Sequence, residues 1–327
     1  MSKLVTIYGG SGFVGRYIAR RLAKDGWRVR VAVRRPNEAM HVRPYGVVGQ
    51  VEPVLCNIRD DASVRSVLLG ADVVINCVGT FNRKGKNNFD AIQNEGAGRI
   101  ARIAAAEGVA RMVHISAIGA DHESDCLYSR SKGLGETKVL EHFPKAVILR
   151  PSVIFGGEDQ FFNRFAAMSR LTPVLPLVGA DTKFQAVYVD DVAQAAVKGA
   201  QGSAAPGIYE LGGPEISSFR EMIQQMLCVI RRRRLVLNIP FWIAGPMATM
   251  MELGQTLSLG LIPARLTKDQ VSSLRSDNVV NADALGFADL GIEPQSPEAV
   301  LPEYLWPFRP SGQYAAIKES AGNLRAG

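Results

Sequence analysis

Short apolar runs alternate with segments of helical spacing through the first half of the chain. The runs at residues 5–8, 27–33, 50–55, 73–78, 111–115 and 146–149 predict strands. Between them, residues 16–25, 61–69 and 92–107 repeat apolar side chains at the three- and four-residue spacing of amphipathic helices. Strands that alternate with helices are typical of a parallel, doubly wound α/β sheet. We therefore predict a Rossmann sheet, with its ligand crevice at the carboxyl ends of the strands.

After residue 150 the pattern changes, because prolines divide the chain into shorter elements. They stand at residues 151, 173, 176, 206, 214, 240, 246 and 263. This change predicts a Rossmann domain at residues 1–150, a smaller C-terminal lobe interleaved with the sheet edge at residues 151–306, and a tail at residues 307–327. The tail is expected to be ordered only against a partner. A chain of 327 residues, 47% of them hydrophobic, is long enough to bury such a core.

The strongest local signal is the glycine-rich turn after the first strand, Gly9-Gly-Ser-Gly-Phe-Val-Gly15. Glycine at Gly9, Gly12 and Gly15 permits a tight turn, a close approach of the backbone to a pyrophosphate, and close packing of the next helix. The pyrophosphate would then accept hydrogen bonds from the free N–H groups at the helix start. Because the turn lies between a strand and a helix, it predicts a dinucleotide site.

Arginines beside this turn indicate which dinucleotide is bound. The second strand ends at Arg34 and Arg35, where an NAD-selective site usually carries Asp or Glu for the ribose 2′-hydroxyl. Arginine there favours a 2′-phosphate, and Arg16 is placed to add a second guanidinium, the alternative being that these are solvated surface arginines. We predict NADP(H) rather than NAD.

Charge, cysteines and histidines narrow the class of protein further. A net charge of +7 suits an acidic partner, a nucleotide or an anionic membrane surface, and no basic stripe with interleaved aromatic residues predicts nucleic-acid binding. The four cysteines show no C-x-x-C spacing and the four histidines are scattered, so we expect reduced core thiols and no metal site. The first predicted strand begins close to Met1, so we expect no targeting segment and a bacterial cytoplasmic location.

A tyrosine and a lysine four residues apart, Tyr128 and Lys132, are the candidate catalytic pair. On a helix they share one face, and a nearby ammonium lowers the pKa of a phenol, which makes it usable as a proton donor or acceptor. Lys132 is also suited to hold the nicotinamide ribose. Such pairs often arise by chance, but this one follows Ser116 at the end of a predicted strand.

Together these motifs resemble the short-chain dehydrogenase/reductase superfamily, in its extended or atypical branch. The resemblance covers residues 4–197 and rests on the glycine turn, N-C-V-G at residues 76–79, H-I-S at 114–116, Y-S-R-S-K at 128–132 and L-R-P-S at 149–152. Catalytic members usually carry a Ser or Thr one or two places after the position of Ser116, where this chain has Ala117 and Ile118. The role of Ser116 therefore stays open between a substrate-orienting hydroxyl and a vestigial one.

A second resemblance is closer. The strings R-P-S-V-I-F-G-G-E-D-Q-F-F-N-R-F at residues 150–165, Q-A-V-Y-V-D-D at 185–191 and L-T-K-D-Q-V at 266–271 resemble the nucleotide-binding accessory subunits of respiratory complex I and their bacterial relatives. This family implies a tightly held NADPH with a structural role and no turnover. It also implies other complex I subunits as partners, at the junction of the peripheral and membrane arms near the quinone region. The implied location is peripheral, on the cytoplasmic side of the bacterial inner membrane.

Residues at the predicted strand ends complete the expected cofactor site. Asn57 is suited to bond the adenine amino group, Ile58 to pack on the adenine ring, and Gly79 to admit the ribose or nicotinamide closely, although each is also compatible with a simple strand-ending turn. The expected catalytic group is Tyr128, Lys132 and Ser116. The full expected set of cofactor contacts is Gly9, Gly12, Phe13, Val14, Gly15, Arg16, Arg34, Asn57, Ile58, Cys77, Val78, Gly79, Ser116, Tyr128, Lys132 and Pro151.

An apolar segment in the second half is the candidate contact with a membrane or a partner. Four arginines at residues 231–234 precede the largely apolar residues 235–261. Such a segment can lie at a membrane interface, with the arginines at acidic headgroups and Trp242 at the boundary. Pro240, Pro246 and Glu252 argue against a membrane span. An amphipathic core helix with solvated arginines is the equal alternative.

Three functions are open on these observations. The first is an accessory, non-catalytic NADPH-binding subunit of respiratory complex I that stabilises the junction of its two arms. The second is a free NADP(H)-dependent reductase or epimerase that uses Tyr128 and Lys132 on a quinone precursor or a nucleotide sugar. The third, less supported, is a redox-sensing module that exchanges its cofactor. Ala117 and Ile118, which carry no hydroxyl, favour the first.

Overall fold

The computed structural model describes residues 3–82, 85–257, 268–310 and 312–314. The chain forms two compact units. The first holds the described residues of Met1–Ser152, Val189–Gly212 and Val280–Pro294, and the second holds the remaining described residues. The chain therefore leaves the first unit after Ser152 and returns to it twice.

Strands and helices alternate through most of the described chain. The strands are β1 Leu4–Tyr8, β2 Arg28–Val33, β3 Val51–Leu55, β4 Val73–Asn76, β5 Arg111–Ile115, β6 Val147–Pro151, β7 Ile154–Phe155, β8 Val174–Val178, β9 Lys183–Phe184, β10 Val187–Tyr188, β11 Gly207–Leu211, β12 Ser217–Ser218 and β13 Leu235–Ile239. The α-helices are α1 Phe13–Lys24, α2 Asp61–Leu68, α3 Glu95–Ala106, α4 Leu127–His142, α5 Phe162–Leu171, α6 Val189–Gln201, α7 Phe219–Val229, α8 Phe241–Leu257, α9 Lys268–Ser273 and α10 Pro297–Leu305. Shorter helical segments are a π-helical turn at Asp90–Asn94 and 3₁₀ helices at Pro36–Tyr45, Trp306–Phe308 and Gly312–Tyr314.

Seven parallel strands form the sheet of the first unit, in the order β11-β6-β5-β4-β1-β2-β3. The order reverses beside β1, because the chain first runs outward through β2 and β3 and then through β4, β5 and β6. This doubly wound arrangement confirms the predicted α/β fold class. The switch point between β1 and β4 is the place where such sheets form a ligand crevice.

Helices cover both faces of this sheet, so its central strands are buried on both sides. Val5, Ile7 and Ile75 are fully buried. On one face α1 packs against α6, where the Arg21 guanidinium bonds both oxygens of Asp190 at 2.7 and 2.8 Å. On the other face, side chains of α2 and α3 share one apolar cluster with side chains of β1, β4 and β5. The sheet is a rigid platform for residues at its strand ends.

The elements predicted in the first half of the chain are present, with boundaries that move by a few residues. Helix α1 begins at Phe13, three residues before the predicted start. The helix predicted at residues 92–107 is a π-helical turn followed by α3, which begins at Glu95. The seventh strand, β11, is not among the predicted strands, because Glu210 interrupts its short apolar run.

The second unit pairs its short strands in twos around a core rich in phenylalanine. Strand β7 pairs with β10, β8 with β13, and β9 with β12. Phe155, Phe162, Phe184 and Phe219 are buried in this core. Helices α5, α7 and α10 contribute side chains to the same cluster.

The segment after the arginine cluster is not a single helix. The alternative prediction of one amphipathic core helix over residues 235–261 is therefore wrong. Leu235–Ile239 is strand β13, Pro240 follows it, and α8 begins at Phe241 and contains Pro246. Residues 258–267 and 315–327, which include the ends of the predicted segment and tail, lie outside the described residues. Along the part of the chain that the structure describes, no helix combines the length and the apolar character that a bilayer crossing requires.

The cysteines differ in their surroundings. Cys56 and Cys126 are buried and Cys77 is half-buried, as expected for thiols near a core, whereas Cys228 is exposed. The expectation of a core thiol is therefore wrong for Cys228, which lies near the end of α7.

Candidate functional site

The glycine turn joins β1 to α1 at the switch point of the sheet. Gly9 has a φ of +73°, a left-handed value that favours glycine, and its N–H donates to the Ala32 carbonyl at 3.0 Å. The Gly12 N–H bonds back to the Gly9 carbonyl at 2.9 Å. A Cβ on Gly9 would stand 3.2 Å from the backbone of Cys77. The turn is therefore tight and lies against the end of β4.

Gly15 lets the first turn of α1 pack on the glycine turn itself. A Cβ on Gly15 would lie 2.5 Å from the Gly9 carbonyl oxygen and 2.6 Å from the Gly10 Cα, closer than real Cβ atoms come. The helix start has no acidic residue in its first turn, and its first N–H groups, at Phe13 and Val14, have no intrahelical partner. The glycine cradle and the positive helix end together fit the pyrophosphate of a dinucleotide.

The two arginines expected at a 2′-phosphate are placed differently. Arg16 folds over the glycine turn, where its guanidinium donates to two carbonyls of the turn at 3.2 and 3.3 Å. Arg34 follows the end of β2, and its side chain is exposed. Arg34 is therefore accessible to a ligand at the strand end, while Arg16 also supports the turn.

Asn57 and Ile58, expected beside adenine, follow the end of β3. Asn57 is exposed, and its side-chain oxygen accepts a hydrogen bond from the Arg59 N–H at 3.2 Å. Ile58 is only 8% exposed and packs on α3, where a Cβ on Gly96 would meet the Ile58 Cδ1 at 2.8 Å. Ile58 is mainly a core residue, and its contact with adenine stays a prediction.

A buried amide and imidazole shape the ends of β4 and β5. The Asn76 side-chain oxygen accepts from the Val78 N–H at 3.1 Å, and its nitrogen lies 3.1 Å from His114 Nδ1. Burial, with help from the nearby Lys132 charge, lowers the pKa of His114 to about 3, so the imidazole is neutral and its Nδ1 accepts. This pair holds the strand end that leads to Gly79.

Lys132 is on α4 and is only 5% exposed. Its Nζ donates to the carbonyl of Ile115, the last residue of β5, at 3.1 Å. Burial lowers the pKa of Lys132 to about 8, partly offset by Glu136 and Cys77. An ammonium with such a pKa remains mostly protonated at neutral pH and stands beside the candidate cofactor strands.

Tyr128 is half-buried and contacts two aromatic rings. Its ring stacks on Phe81, with centroids 5.5 Å apart and planes 14° from parallel, and meets the edge of Phe89 at 5.9 Å. Burial raises the pKa of Tyr128 to about 12, and the Cys126 thiol acts in the same direction. The expected lowering of this pKa by Lys132 is wrong, because exclusion of water disfavours the phenolate more strongly.

Ser116 supplies a hydroxyl without protein partners. It is buried, and its Oγ has no hydrogen-bond partner among the described residues. After it, the Ile118 N–H donates to the Pro151 carbonyl at 3.1 Å and the Ile118 side chain is buried. A buried hydroxyl without a partner among the described residues is available to a polar group of a ligand, and this role of Ser116 stays a prediction.

The first unit thus brings the glycine turn, Cys77 to Gly79, Ser116, Lys132 and Tyr128 to the carboxyl ends of β1, β4 and β5 and to the neighbouring α4. Sequence reasoning assigned no role to Asn76, His114 or Phe81. The alternation of side chains along a strand could have indicated a role for His114. Residues 114 and 116 are two positions apart, at the end of β5 and just after it, and so are expected on the same side of the chain. Phe81 lies in a loop, where no periodic pattern marks it.

The F-G-x-E-D-x-F-x-N string, which is part of the second resemblance, stabilises a loop of the second unit. The buried Asp159 carboxylate accepts hydrogen bonds from the N–H groups of Gly156, Phe161 and Asn163 at 3.2, 2.9 and 3.0 Å. The Tyr304 hydroxyl of α10 adds a bond at 2.6 Å. Asp159 therefore fixes the loop before α5 and ties it to α10.

The chain is similar in sequence to a known protein family and to named proteins of other organisms. The model of the NAD dependent epimerase/dehydratase family matches residues 5–212. The chain is 32% identical over 320 residues to the Arabidopsis thaliana protein named NADH dehydrogenase (ubiquinone) 1 alpha subcomplex subunit 9, mitochondrial, covering 94% of this chain and 79% of the relative.

Two further matches extend the range of similar proteins. The chain is 34% identical over 191 residues to a protein of Caulobacter vibrioides named ceramide reductase, covering 58% of each chain. Its fold is similar to the crystal structure of a UDP-glucose 4-epimerase from Thermotoga maritima with UDP-glucose, at a TM-score of 0.67 and 16% identity, covering 92% of this chain and 97% of that one. The structural match concerns the fold alone.

Substitution of Gly15 by alanine should weaken dinucleotide binding by about tenfold or more, equivalent to about 1.4 kcal/mol. The added methyl group would separate α1 from the turn and misplace its N–H groups. Fluorescence titration with NADPH measures the effect. Gly245→Ala is the matched control, because a Cβ there meets nothing within 4 Å. Equal affinities for the Gly15→Ala variant and the wild type would contradict the proposed cradle.

Proposed function

The chain belongs to the NAD dependent epimerase/dehydratase family, and from this premise we propose that it is an accessory subunit of respiratory complex I. In this role it holds NADPH as a structural ligand, without turnover. Its partners are other subunits of the complex, at the junction of the peripheral and membrane arms near the quinone region. Its location is peripheral, on the cytoplasmic side of a bacterial inner membrane.

Similarity along nearly the whole chain is the observation that carries this proposal. The family model ends at residue 212, which leaves most of the second unit unmatched. The alignment with the Arabidopsis thaliana complex I subunit covers 94% of the chain and so includes that unit. Shared sequence outside the Rossmann sheet supports a shared assembly role rather than a shared fold only.

The environment of Tyr128 supports binding without catalysis. A proton donor or acceptor works best when its pKa is near the working pH, and burial holds the pKa of this phenol at about 12. Phe81 covers one face of its ring. At Ala117 and Ile118 the chain lacks the hydroxyl that catalytic members usually use to orient a carbonyl. Each of these features disfavours turnover and leaves dinucleotide binding intact.

Arg34 supports NADPH as the dinucleotide. Its exposed guanidinium stands after the end of β2, the position at which an acidic residue selects NAD. A guanidinium matches two phosphate oxygens through parallel hydrogen bonds. Arg16, over the turn, adds positive charge on the same side of the site.

One surface of the second unit supports contact with a membrane. Trp242 and Met250 lie on the exposed face of α8, 75% and 74% exposed, whereas Ala244 on the same helix is buried. Leu237 of β13 is also exposed, and the exposed Arg233 precedes that strand. Residues 222–251 contain no Asp or Glu. An apolar face preceded by arginines, in a stretch of sequence without acidic residues, suits an anionic lipid surface.

A second function, a free NADP(H)-dependent reductase or epimerase, is favoured by one observation. Tyr128 and Lys132 are both present on α4 at catalytic spacing. The similarity to a protein named ceramide reductase adds a lipid carbonyl to the quinone precursor and nucleotide sugar as substrate classes. The raised pKa of Tyr128 and the absence of a hydroxyl at Ala117 and Ile118 make this function the weaker of the two.

Native mass spectrometry of detergent-extracted membranes should find the chain within an assembly of complex I subunits and with NADPH bound. Tyr128→Phe should leave both assembly and bound NADPH unchanged, because the phenol has no chemical role in this proposal. A chain recovered alone, or a wild-type NADPH-oxidising activity that Tyr128→Phe abolishes, would support the reductase instead.

Reversal of charge at Arg34 should change the dinucleotide preference. We expect Arg34→Asp to weaken NADPH binding by about 10- to 100-fold and to spare NADH, because a carboxylate repels the 2′-phosphate and accepts from a 2′-hydroxyl. Competitive titration with the two dinucleotides measures this preference. Arg35→Asp is the control, since Arg35 is an exposed neighbour paired with Glu38. Retention of the wild-type preference by Arg34→Asp would refute the assignment.

A charge on the apolar face of α8 should reduce membrane binding. We expect Trp242→Glu to lower co-sedimentation with phosphatidylglycerol vesicles by about fivefold or more, because it removes the interfacial ring and repels anionic headgroups. Val48→Glu, at a fully exposed apolar position of the first unit, should have no such effect. Equal sedimentation of both variants and the wild type would exclude this surface as the membrane contact.

A further inference from the structure

Three charged side chains form a connected line inside the first unit. The Arg150 guanidinium on β6 donates to the Glu136 carboxylate on α4 at 2.9 and 2.6 Å, and its other nitrogen lies 3.5 Å from Glu210 Oε1 on β11. Glu136 and Glu210 are 3% and 4% exposed. Asn281 closes the line by donating its backbone and side-chain N–H groups to Glu210 at 2.9 to 3.1 Å.

Burial of these three charged side chains costs free energy, so each charge must keep a partner of opposite charge. Each buried charge loses its hydration, and removal of one partner leaves another charge uncompensated. Glu136 gives the Arg150 guanidinium two strong contacts and thereby raises the pKa of Arg150. Charges alternate along the line, negative at Glu136, positive at Arg150 and negative at Glu210.

Lys132 lies beside the Glu136 end of this line. The two residues are four positions apart on α4 and so share one face of the helix. The other ionisable groups that face Lys132 are Cys77 from the end of β4 and His114 from β5. Both are neutral, because burial raises the pKa of Cys77 to about 12 and lowers that of His114 to about 3. Glu136, whose oxygens are bonded by Arg150, is therefore the nearby negative charge that favours the Lys132 ammonium.

We propose that Glu136 and Glu210 are positioning residues that keep Lys132 charged and in place against the bound dinucleotide. Glu136 acts directly, and Glu210 acts through the shared Arg150 guanidinium. The inference rests on the proposed function, because it takes Lys132 as a contact of bound NADPH. It adds that the outer strand β11 and the Asn281 segment control how firmly the cofactor is held.

The expected pH dependence follows from the sign of the Lys132 charge. NADPH is an anion, so it binds more tightly when Lys132 is an ammonium than when it is a neutral amine. Affinity should therefore be highest below the Lys132 pKa of about 8 and fall as the pH rises through it. Loss of a nearby carboxylate destabilises the ammonium and moves this fall to lower pH.

The test is the NADPH affinity of the purified, cofactor-stripped full chain, measured by fluorescence from about pH 6 to pH 10, the range in which Lys132 titrates. Glu136→Gln should lower the midpoint of the fall by about one pH unit. Glu210→Gln should lower it by about half a unit, because its charge is farther away and acts through Arg150. The amide that Glu210→Gln introduces still accepts from Asn281, so this variant tests the proposal even where Glu136→Gln fails to fold.

Two controls separate the possible failures. Lys132→Met should flatten the pH dependence, whereas Glu107→Gln, which breaks an outer pair with Arg65, should keep the wild-type midpoint. A wild-type chain that binds no NADPH overturns the proposed function and this inference together, whereas a pH dependence that persists in Lys132→Met overturns the inference alone. A flat profile in Lys132→Met with wild-type midpoints in Glu136→Gln and Glu210→Gln overturns the inference alone.

Discussion

The close approach of three backbone segments at the switch point is the constraint on which the rest of the first unit depends. The glycine turn lies against the end of β4, and α1 begins directly on that turn. Side chains are excluded at both contacts, since a Cβ on Gly9 or on Gly15 would press on backbone atoms. The same exclusion keeps side chains away from the first N–H groups of α1, so the packing requirement and the predicted anion site have one physical origin.

Burial at the ends of β4 and β5 and on α4 also affects the ionisation of the groups there. The same burial holds the pKa of His114 near 3, Lys132 near 8 and Tyr128 near 12. At neutral pH one positive charge therefore stands among neutral neighbours, with Glu136 as its counterpart. A fixed ammonium beside neutral groups favours the holding of an anionic ligand, whereas proton transfer needs a group that changes charge near neutral pH.

The sheet, the glycine turn and α4 could be predicted from the sequence because the patterns that indicate them are local. Apolar periodicity marks buried strands and helices, and glycine spacing marks the turn. Sequence reasoning missed β11, whose Glu210 breaks the apolar run because this carboxylate is paired inside the fold with Arg150 and Asn281. It gave the pKa of Tyr128 the wrong direction, because the burial that raises this pKa depends on packing with other parts of the chain, among them Phe89. Contacts of this kind are set by tertiary packing and leave no period in the sequence.

Few features distinguish a site that only binds a dinucleotide from one that also catalyses a reaction, and they lie near the Tyr128 ring. The glycine cradle, Lys132 and the strand ends are what any dinucleotide enzyme of this fold requires to bind its cofactor. Catalysis needs in addition a phenol that can exchange a proton and a hydroxyl that aligns the substrate. Here burial raises the pKa of the Tyr128 phenol, and Ala117 and Ile118 provide no second hydroxyl beside the buried Ser116. A protein of this fold that lacks these catalytic groups can still gain stability from a dinucleotide that it binds.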